Sequence, residues 1–232
     1  MVPYKKIEQT LTVVREQLAL FKVKQGIATS TVQRIEPQDW DFARADTKTE
    51  THCFHPYPAM MIPQIARSLI HLYGKEGQTL LDPFCGSGTA LVEARIYGLN
   101  SYGIDINPLA LLLSRVKTSI LDINKLKNTS IKLCNDYLEA VEQISKHGYS
   151  VPIPDFFNLN YWFNPNVTNE LAILRTIILR LRNIFIREFF LVCFSETVRN
   201  SSYTRNGEFK LFRIPEEQLH NYKPNVPQFF FD

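Results

Sequence analysis

The residues best suited to chemistry form one glycine-rich stretch, Asp82-Pro83-Phe84-Cys85-Gly86-Ser87-Gly88-Thr89. A loop that leaves a parallel strand and enters a helix collects free backbone N–H groups at the positive end of that helix. The two glycines let a ligand approach the backbone without meeting a Cβ atom. No Gly-Lys-Ser/Thr follows, and Leu91 stands where the dinucleotide motif has its third glycine, so phosphate binding is disfavoured. The stretch therefore predicts a cradle for an anionic or zwitterionic ligand.

An acidic residue lies at a spacing that nucleoside-binding folds use. Asp105 follows Gly88 by seventeen positions, close to the offset of about twenty at which a carboxylate meets ribose hydroxyls. A single Asp after a strand is most often a helix cap. The loop and the carboxylate, in register with each other, together predict a ligand that carries a nucleoside.

The elements that must position these residues alternate between strand and helix. The pattern predicts a helix from Pro63 to Gly74, a strand at residues 79–81, a helix from Thr89 to Tyr97, a strand at residues 101–104, and a helix that begins at Asn107-Pro108. The order βαβα predicts a parallel sheet.

The rest of the chain is mainly helical in pattern. The predicted segments are an amphipathic helix from Tyr4 to Phe21, a polar arm at 23–51, helices at 125–146 and 167–187, an aromatic loop from Phe156 to Phe163, and a helix or buried strand at 189–198. We therefore expect three regions: an N-terminal helix and arm (1–51), a ligand-binding βαβα unit (52–120), and a helix-rich region (121–232) available for contact with a partner.

Composition restricts the class of protein. The 232 residues are 45% hydrophobic and 21% charged, which excludes a disordered or collagen-like chain. A net charge of +3 allows a polyanionic partner without demanding one. The four cysteines form no Cys-x-x-Cys pair, which indicates a reducing compartment, and no apolar run is long enough to span a membrane. We therefore expect a cytoplasmic protein without membrane attachment.

The stretch from Asp82 to Thr89, followed by Gly103-Ile104-Asp105-Ile106-Asn107-Pro108, resembles the first two cofactor motifs of the S-adenosylmethionine-dependent DNA amino-methyltransferases. These enzymes methylate N4 of cytosine or N6 of adenine. Upstream, His55-Pro56-Tyr57-Pro58-Ala59 is similar to the block that precedes the cofactor loop in that family. The resemblance covers residues 52–118, with a looser similarity from Tyr161 to Phe212. It implies an α/β, Rossmann-like methyltransferase fold with an incomplete sheet, a helical N-terminal segment and a helix-rich C-terminal insertion.

The resemblance also implies roles for individual residues. Asp82 and the turn from Phe84 to Gly88 would hold the methionine part of S-adenosylmethionine, Asp105 the ribose hydroxyls, and Ile106 the adenine. The upstream block would complete the methionine pocket, although Met60 stands where family members usually have Lys. The implied cofactor-binding residues are His55, Pro56, Tyr57, Asp82, Pro83, Phe84, Cys85, Gly86, Ser87, Gly88, Thr89, Asp105 and Ile106.

The catalytic motif of the family has no match in this chain. Family members carry Asp, Asn or Ser followed by Pro-Pro and an aromatic residue, which position the target amine and stack on the flipped base. This sequence contains no Pro-Pro pair. Asn164-Pro165-Asn166-Val167 is the nearest imitation, with a helix-capping turn as the alternative. C5-cytosine chemistry is disfavoured because no cysteine follows a proline, so no catalytic residue is identified.

Three further features are weaker signals. His52, Cys53 and His55 suit a metal ion, but no second cluster completes a tetrahedral site, so we predict none. Phe229 to Phe231 predict a buried strand or a surface that another chain covers. Basic and aromatic residues alternate after residue 198, which is typical of a nucleic-acid contact strip or of a solvated loop. The strip comprises Arg199, Tyr203, Arg205, Lys210 and Arg213.

Our leading hypothesis is the S-adenosylmethionine-binding part of a site-specific DNA amino-methyltransferase of a restriction-modification system. Its Pro-Pro strand would be on a partner chain or lost by truncation. DNA and that second polypeptide would be its partners, and the chain alone would be inactive. The alternatives are a non-catalytic cofactor- or DNA-binding subunit that regulates a methylase, and an RNA amino-methyltransferase.

Overall fold

The computed structural model describes residues 40–205 and 212–231. The predicted helix from Tyr4 to Phe21, most of the predicted arm and Lys210 lie outside the described residues. The described chain divides into two compact units, one up to Ile120 and one from Leu121 onward. Each unit has its own elements and core.

The first unit contains a small parallel sheet and its helices. Its elements are a 3₁₀-helix (Glu50–Phe54), α1 (Pro63–Tyr73), β1 (Thr79–Asp82), α2 (Thr89–Ile96), β2 (Asn100–Gly103) and α3 (Pro108–Thr118). β1 and β2 pair in parallel, with Thr79 opposite Asn100 and Asp82 opposite Gly103. The mixed α/β order and the parallel pairing confirm the predicted parallel sheet. Helix α2 ends one residue earlier than predicted, and β2 both begins and ends one residue earlier.

Local sequence explains where the helices of this unit begin and end. Pro63 is the first residue of α1, where no backbone N–H is needed, and the Gly74 N–H bonds to the Ile70 carbonyl at 2.7 Å. The Asn107 side chain accepts from the Leu109 N–H at 3.0 Å and caps α3. Because α2 packs against α1, α3 and both strands, this crossover helix is central to the core. The core includes Ala66, Ile70, Leu91, Val92, Ala94, Leu113 and Val116.

One face of the sheet is not covered by the described residues. Leu81 and Tyr102 lie opposite each other in register and are 61% and 67% exposed. Ile104, just beyond β2, is also largely exposed. Parallel sheets are normally covered on both faces, so this apolar face has the character of a contact surface.

The second unit is helical. Its elements are α4 (Ile123–His147), α5 (Leu159–Trp162), α6 (Pro165–Leu179), α7 (Ile184–Ser201), a second 3₁₀-helix (Glu216–Asn221) and α8 (Val226–Phe231). α6 packs against α4, α7 and α8. No helix in the described part of the chain is both long and apolar enough to cross a bilayer. The fully buried side chains of this unit include Leu126, Leu133, Leu174, Ile178, Val192 and Val226.

The prediction of one helical segment at 167–187 is wrong. α6 ends at Leu179 and α7 begins at Ile184. The Asn183 side chain accepts from the Ile186 N–H at 3.1 Å, and this cap starts a new helix. A local capping interaction therefore interrupts a continuous apolar pattern.

The structure also shows which secondary structure the shorter segments of this unit adopt. Residues 189–198 lie within α7, so the helical alternative is correct and the buried strand is wrong. Phe229 to Phe231 belong to α8, where Phe230 is buried with its ring centroid 6.2 Å from that of Phe190. The predicted terminal strand is therefore wrong. The predicted aromatic loop contains the short helix α5.

Candidate functional site

The glycine-rich loop joins β1 to α2 at the carboxyl end of the sheet. Gly86 and Gly88 have φ angles of +50° and +88°, a region that favours glycine. The Cys85 N–H donates to the Ile104 carbonyl at 2.9 Å, and the Gly88 N–H donates to the Cys85 carbonyl at 2.8 Å. These hydrogen bonds fix the turn against the end of β2.

Glycine also permits close packing around the loop. A Cβ atom on Gly88 would lie 2.7 Å from the Ser114 Cβ atom of α3. A Cβ atom on Gly103 would lie 2.6 Å from Leu91 Cδ1. A larger residue at either position would force a packed neighbour to move. Position 88 therefore requires glycine for its φ angle and for the space that it leaves.

Both predicted carboxylates contact the loop backbone. Asp82 Oδ1 accepts from the Phe84 N–H at 3.0 Å. Asp105 Oδ2 accepts from the Gly86 N–H at 2.9 Å, and its Oδ1 accepts from the Asn107 N–H at 2.8 Å. A carboxylate oxygen can accept more than one hydrogen bond. Asp105 can therefore order the loop and still accept from a ligand hydroxyl.

The start of α2 combines hydrogen-bond donors with exposed apolar side chains nearby. Gly88 is the N-cap residue, so no side chain caps the first N–H groups of the helix. Anionic groups are favoured at such a helix end. Phe84 in the loop and Ile106 after Asp105 are 88% and 99% exposed. These donors, carboxylates and apolar surfaces fit the amino-acid and nucleoside parts of S-adenosylmethionine.

The upstream block lies against the same loop. The Tyr57 hydroxyl accepts from Asn107 Nδ2 at 3.1 Å. Tyr57 Cε1 lies 3.8 Å from where a Cβ atom on Gly86 would be. His55 is buried, and its Nδ1 lies 2.7 Å from the Pro56 carbonyl oxygen. The structure thus brings together two segments that the sequence places apart.

A buried ionic network, which was not predicted, joins three helices of the first unit. Glu93 of α2 accepts from His52 Nε2 at 2.9 Å and from Arg67 Nε at 2.8 Å. Burial alone would raise the pKa of Glu93, but the hydrogen bonds from His52 and Arg67 hold the pKa below its ordinary value. His52 thus supports the fold, and the described residues contain no group of three potential metal ligands.

Lys117, in the last turn of α3, is a second group that was not predicted. Its Nζ lies 3.3 Å from Ser87 Oγ and 3.9 Å from Met60 Sδ. Burial lowers the pKa of Lys117 to about 8, an effect that Cys53 partly opposes. Position 117 continues the buried positions 110, 113 and 114 at helical spacing. That spacing is the signal that could have revealed a buried lysine.

The predicted nucleic-acid strip is partly built into the second unit. The Arg213 guanidinium lies 4.3 Å from the Tyr161 ring centroid and 5.4 Å from that of Tyr203. Its Nε donates to the Tyr161 carbonyl at 2.8 Å, so Arg213 and Tyr203 are held together. The other members are placed separately: Arg199 in the last turn of α7, Arg205 beside an antiparallel bridge, and Lys210 outside the described residues.

Asn164-Pro165 forms a helix cap. The Asn164 side chain accepts from the Asn166 N–H at 2.9 Å, and Pro165 is the first residue of α6. The amide oxygen therefore bonds the backbone, which supports the capping interpretation over a catalytic one.

A strand, a glycine-rich loop and a helix, with an acidic residue after the next strand, are typical of α/β folds that bind nucleoside cofactors. A family model described as a DNA methylase, of the N6 and N4 type, matches residues 6–114. Residues 6–114 thus match the N6/N4 DNA methylase family, whose methyl donor is implied to be S-adenosylmethionine.

Curated relatives agree with this assignment. The type II methyltransferase M.MvaI of Kocuria varians is 40% identical over 193 residues, which are 82% of this chain and 42% of the relative. The type II methyltransferase M.MjaII of Methanocaldococcus jannaschii is 37% identical over 114 residues, 47% of this chain and 21% of the relative. A tRNA (guanine(10)-N2)-dimethyltransferase of the same organism is 31% identical over 112 residues, 46% of this chain and 31% of the relative. No solved structure matches the chain significantly. The chain thus spans less than half the length of each of these relatives.

Proposed function

We propose that the chain is the S-adenosylmethionine-binding part of a DNA amino-methyltransferase that acts on N4 of cytosine or N6 of adenine. The observation that carries this proposal is the glycine-rich loop whose Gly86 N–H bonds to Asp105, within the region that matches the family. When bound, S-adenosylmethionine supplies a methyl group attached to a sulfonium. The proposed methyl acceptor is DNA, and the proposed setting is a cytoplasmic restriction-modification system with a Rossmann-like cofactor domain.

In this proposal the residues of the chain bind and orient the methyl donor. The turn from Phe84 to Gly88 places the methionine carboxylate at the start of α2, whose first N–H groups have no side-chain cap, because anions are favoured at that helix end. Asp82 accepts from the methionine ammonium, and Tyr57 lines the same end of the site. Asp105 accepts from the ribose hydroxyls, and the exposed Ile106 packs on the adenine.

The acceptors for the target amine come from another polypeptide. This chain lacks the Pro-Pro motif. The exposed apolar face formed by Leu81, Tyr102 and Ile104 supports a role for a second polypeptide. The faces of a parallel sheet are normally covered, and a partner could pack on this one. A partner that binds there could bring its catalytic strand to the bound methyl donor.

Methyl transfer tests the complete proposal. The chain is mixed with the polypeptide encoded by the adjacent reading frame, and transfer of labelled methyl from S-adenosylmethionine to duplex DNA is measured. We expect transfer from the mixture and none from either component. Transfer by this chain alone would show that the catalytic acceptors lie within it.

Calorimetry tests cofactor binding separately. Asp105→Ala should weaken S-adenosylmethionine binding by about 1 to 3 kcal/mol, because the ribose hydroxyls and the Gly86 N–H lose their acceptor. Asp105→Asn keeps one acceptor oxygen and should lose less. Asp136→Ala, which removes a partly exposed carboxylate of α4 outside the site, is the matched control and should bind normally. An unchanged affinity for Asp105→Ala would show that this carboxylate has been misassigned.

Two other functions make different predictions. A non-catalytic regulatory subunit would bind the cofactor, but its partner would be fully active alone. An RNA amino-methyltransferase is suggested by the similarity to the tRNA dimethyltransferase. Comparing duplex DNA with structured RNA as methyl acceptor separates this alternative from the proposal.

A further inference from the structure

Lys117 is a buried charge that the proposed function leaves unexplained. Its Nζ contacts Ser87 Oγ in the glycine-rich loop at 3.3 Å and Met60 Sδ at 3.9 Å. The residue is 3% exposed. Within residues 40–205 and 212–231, no carboxylate forms a salt bridge with this ammonium.

A buried ammonium without an anionic partner is unfavourable for folding. An apolar side chain would fill the same buried stripe of α3 without that cost. Met60, whose Sδ lies 3.9 Å from the ammonium, is uncharged and 41% exposed, so the ammonium contacts a side chain that itself reaches the solvent. The location of Lys117 therefore indicates that its positive charge acts at the glycine-rich loop.

Charged groups on the neighbouring elements do not neutralise Lys117. Glu93 of α2 is already bonded to Arg67 and His52. Cys53 of the first 3₁₀-helix acts electrostatically on Lys117, but it is a thiol and not a carboxylate. The positive charge is thus left for an anion that the described chain does not supply.

We propose that Lys117 is a determinant of methyl-donor binding: its ammonium, held against Ser87, attracts the carboxylate of the donor's amino-acid part to the start of α2. This inference rests on the proposed cofactor site and specifies which part of the ligand the buried charge recognises. The N-terminus of α2 contributes a positive potential in the same place, so the two effects reinforce each other. The donor's carboxylate in turn supplies the partner that the buried ammonium lacks.

The test compares two ligands that share a nucleoside and differ in the carboxylate. S-adenosylhomocysteine carries the amino-acid end, and 5′-methylthioadenosine lacks it. Calorimetry measures both ligands with the unaltered chain, with Lys117→Met and with Lys132→Met, an exposed-lysine control on α4. We expect Lys117→Met to weaken S-adenosylhomocysteine binding about tenfold to hundredfold. Binding of 5′-methylthioadenosine should stay unchanged, and Lys132→Met should change neither.

A second variant separates charge from hydrogen bonding. Lys117→Gln keeps a donor for Ser87 but carries no charge, so it should lose S-adenosylhomocysteine affinity as Lys117→Met does. Lys117→Arg keeps the charge and should retain part of that affinity. Circular dichroism of each variant establishes that folded chains are compared.

The possible failures are distinguishable. Equal weakening of both ligands would assign Lys117 a purely structural role, and unchanged binding of both would assign it none. Either result overturns the inference and leaves the cofactor site standing. If the unaltered chain binds neither ligand, the proposed function fails, and the inference fails with it.

Discussion

Replacing Lys117 by methionine should make the first unit more stable at neutral pH. Burial lowers the pKa of Lys117 from an ordinary 10.5 to about 8, so the protonated lysine disfavours the folded state. At about 1.4 kcal/mol for each tenfold change in the protonation equilibrium, this difference corresponds to about 3 kcal/mol. Relaxation around a buried charge reduces such values. For Lys117→Met we therefore expect an increase of about 1 to 3 kcal/mol in the free energy of unfolding at pH 7.

The advantage of the variant should disappear as the pH rises. Below pH 8, Lys117 is protonated in both states, and the cost is fully present. Between pH 8 and 10.5 the folded state releases its proton first, so the stability of the unaltered chain rises with pH. Near pH 10 the difference between variant and unaltered chain should fall below about 1 kcal/mol.

Urea unfolding at pH 7 and pH 10, followed by circular dichroism, measures both effects. Lys132→Met, at an exposed position of α4, should change the free energy of unfolding by less than about 0.5 kcal/mol. A less stable Lys117→Met at pH 7 would refute the reasoning. A stability difference that is the same at both pH values would refute it as well. A variant that is more stable but binds the methyl donor less well would show that the lysine serves function at the expense of the fold.

Two further pairs of substitutions test the loop and its ionic network. Gly88→Ala should lower the free energy of unfolding by about 2 to 5 kcal/mol through strain and overpacking. Gly77→Ala, with φ of +81° but open space, should cost only about 1 to 2 kcal/mol. Glu93→Gln should cost about 3 to 5 kcal/mol, whereas Glu142→Gln in an exposed pair should cost less than about 0.5 kcal/mol. Because the pKa of Glu93 is lowered from 4.5, its stabilising effect is present above that pH and is lost on acidification. Urea unfolding measures all four, and equal losses within either pair would contradict the corresponding argument.

The βαβα unit could be predicted because its signals are local. Asn107-Pro108 caps and starts α3 through neighbouring residues, and the short strand segments β1 and β2 alternate with segments of helical spacing. The break between α6 and α7 was not predicted, because Ile178, Leu181 and Phe185 continue a helical spacing across it. The side-chain cap from Asn183 outweighs that pattern.

The candidate site could be predicted only in part. The loop and Asp105 are linked by a motif of fixed spacing. Lys117 and Ser87 are 30 positions apart, and His52 and Glu93 are 41 positions apart. Such contacts depend on how helices pack in three dimensions, and neither pair carries a local pattern that joins its members.

The arrangement of the four cysteines gives the chain a natural attachment point for a reporter dye. Burial raises the pKa of Cys85, of Cys134 and, to about 12, of Cys193, whereas Cys53 is exposed. Thiolates are the reactive form, so a maleimide fluorophore should modify Cys53 first. This residue lies in the 3₁₀-helix whose Thr51 hydroxyl bonds to the carbonyl of Lys117. Fluorescence from Cys53 would then follow ligand arrival at the loop in a chain with no engineered residue.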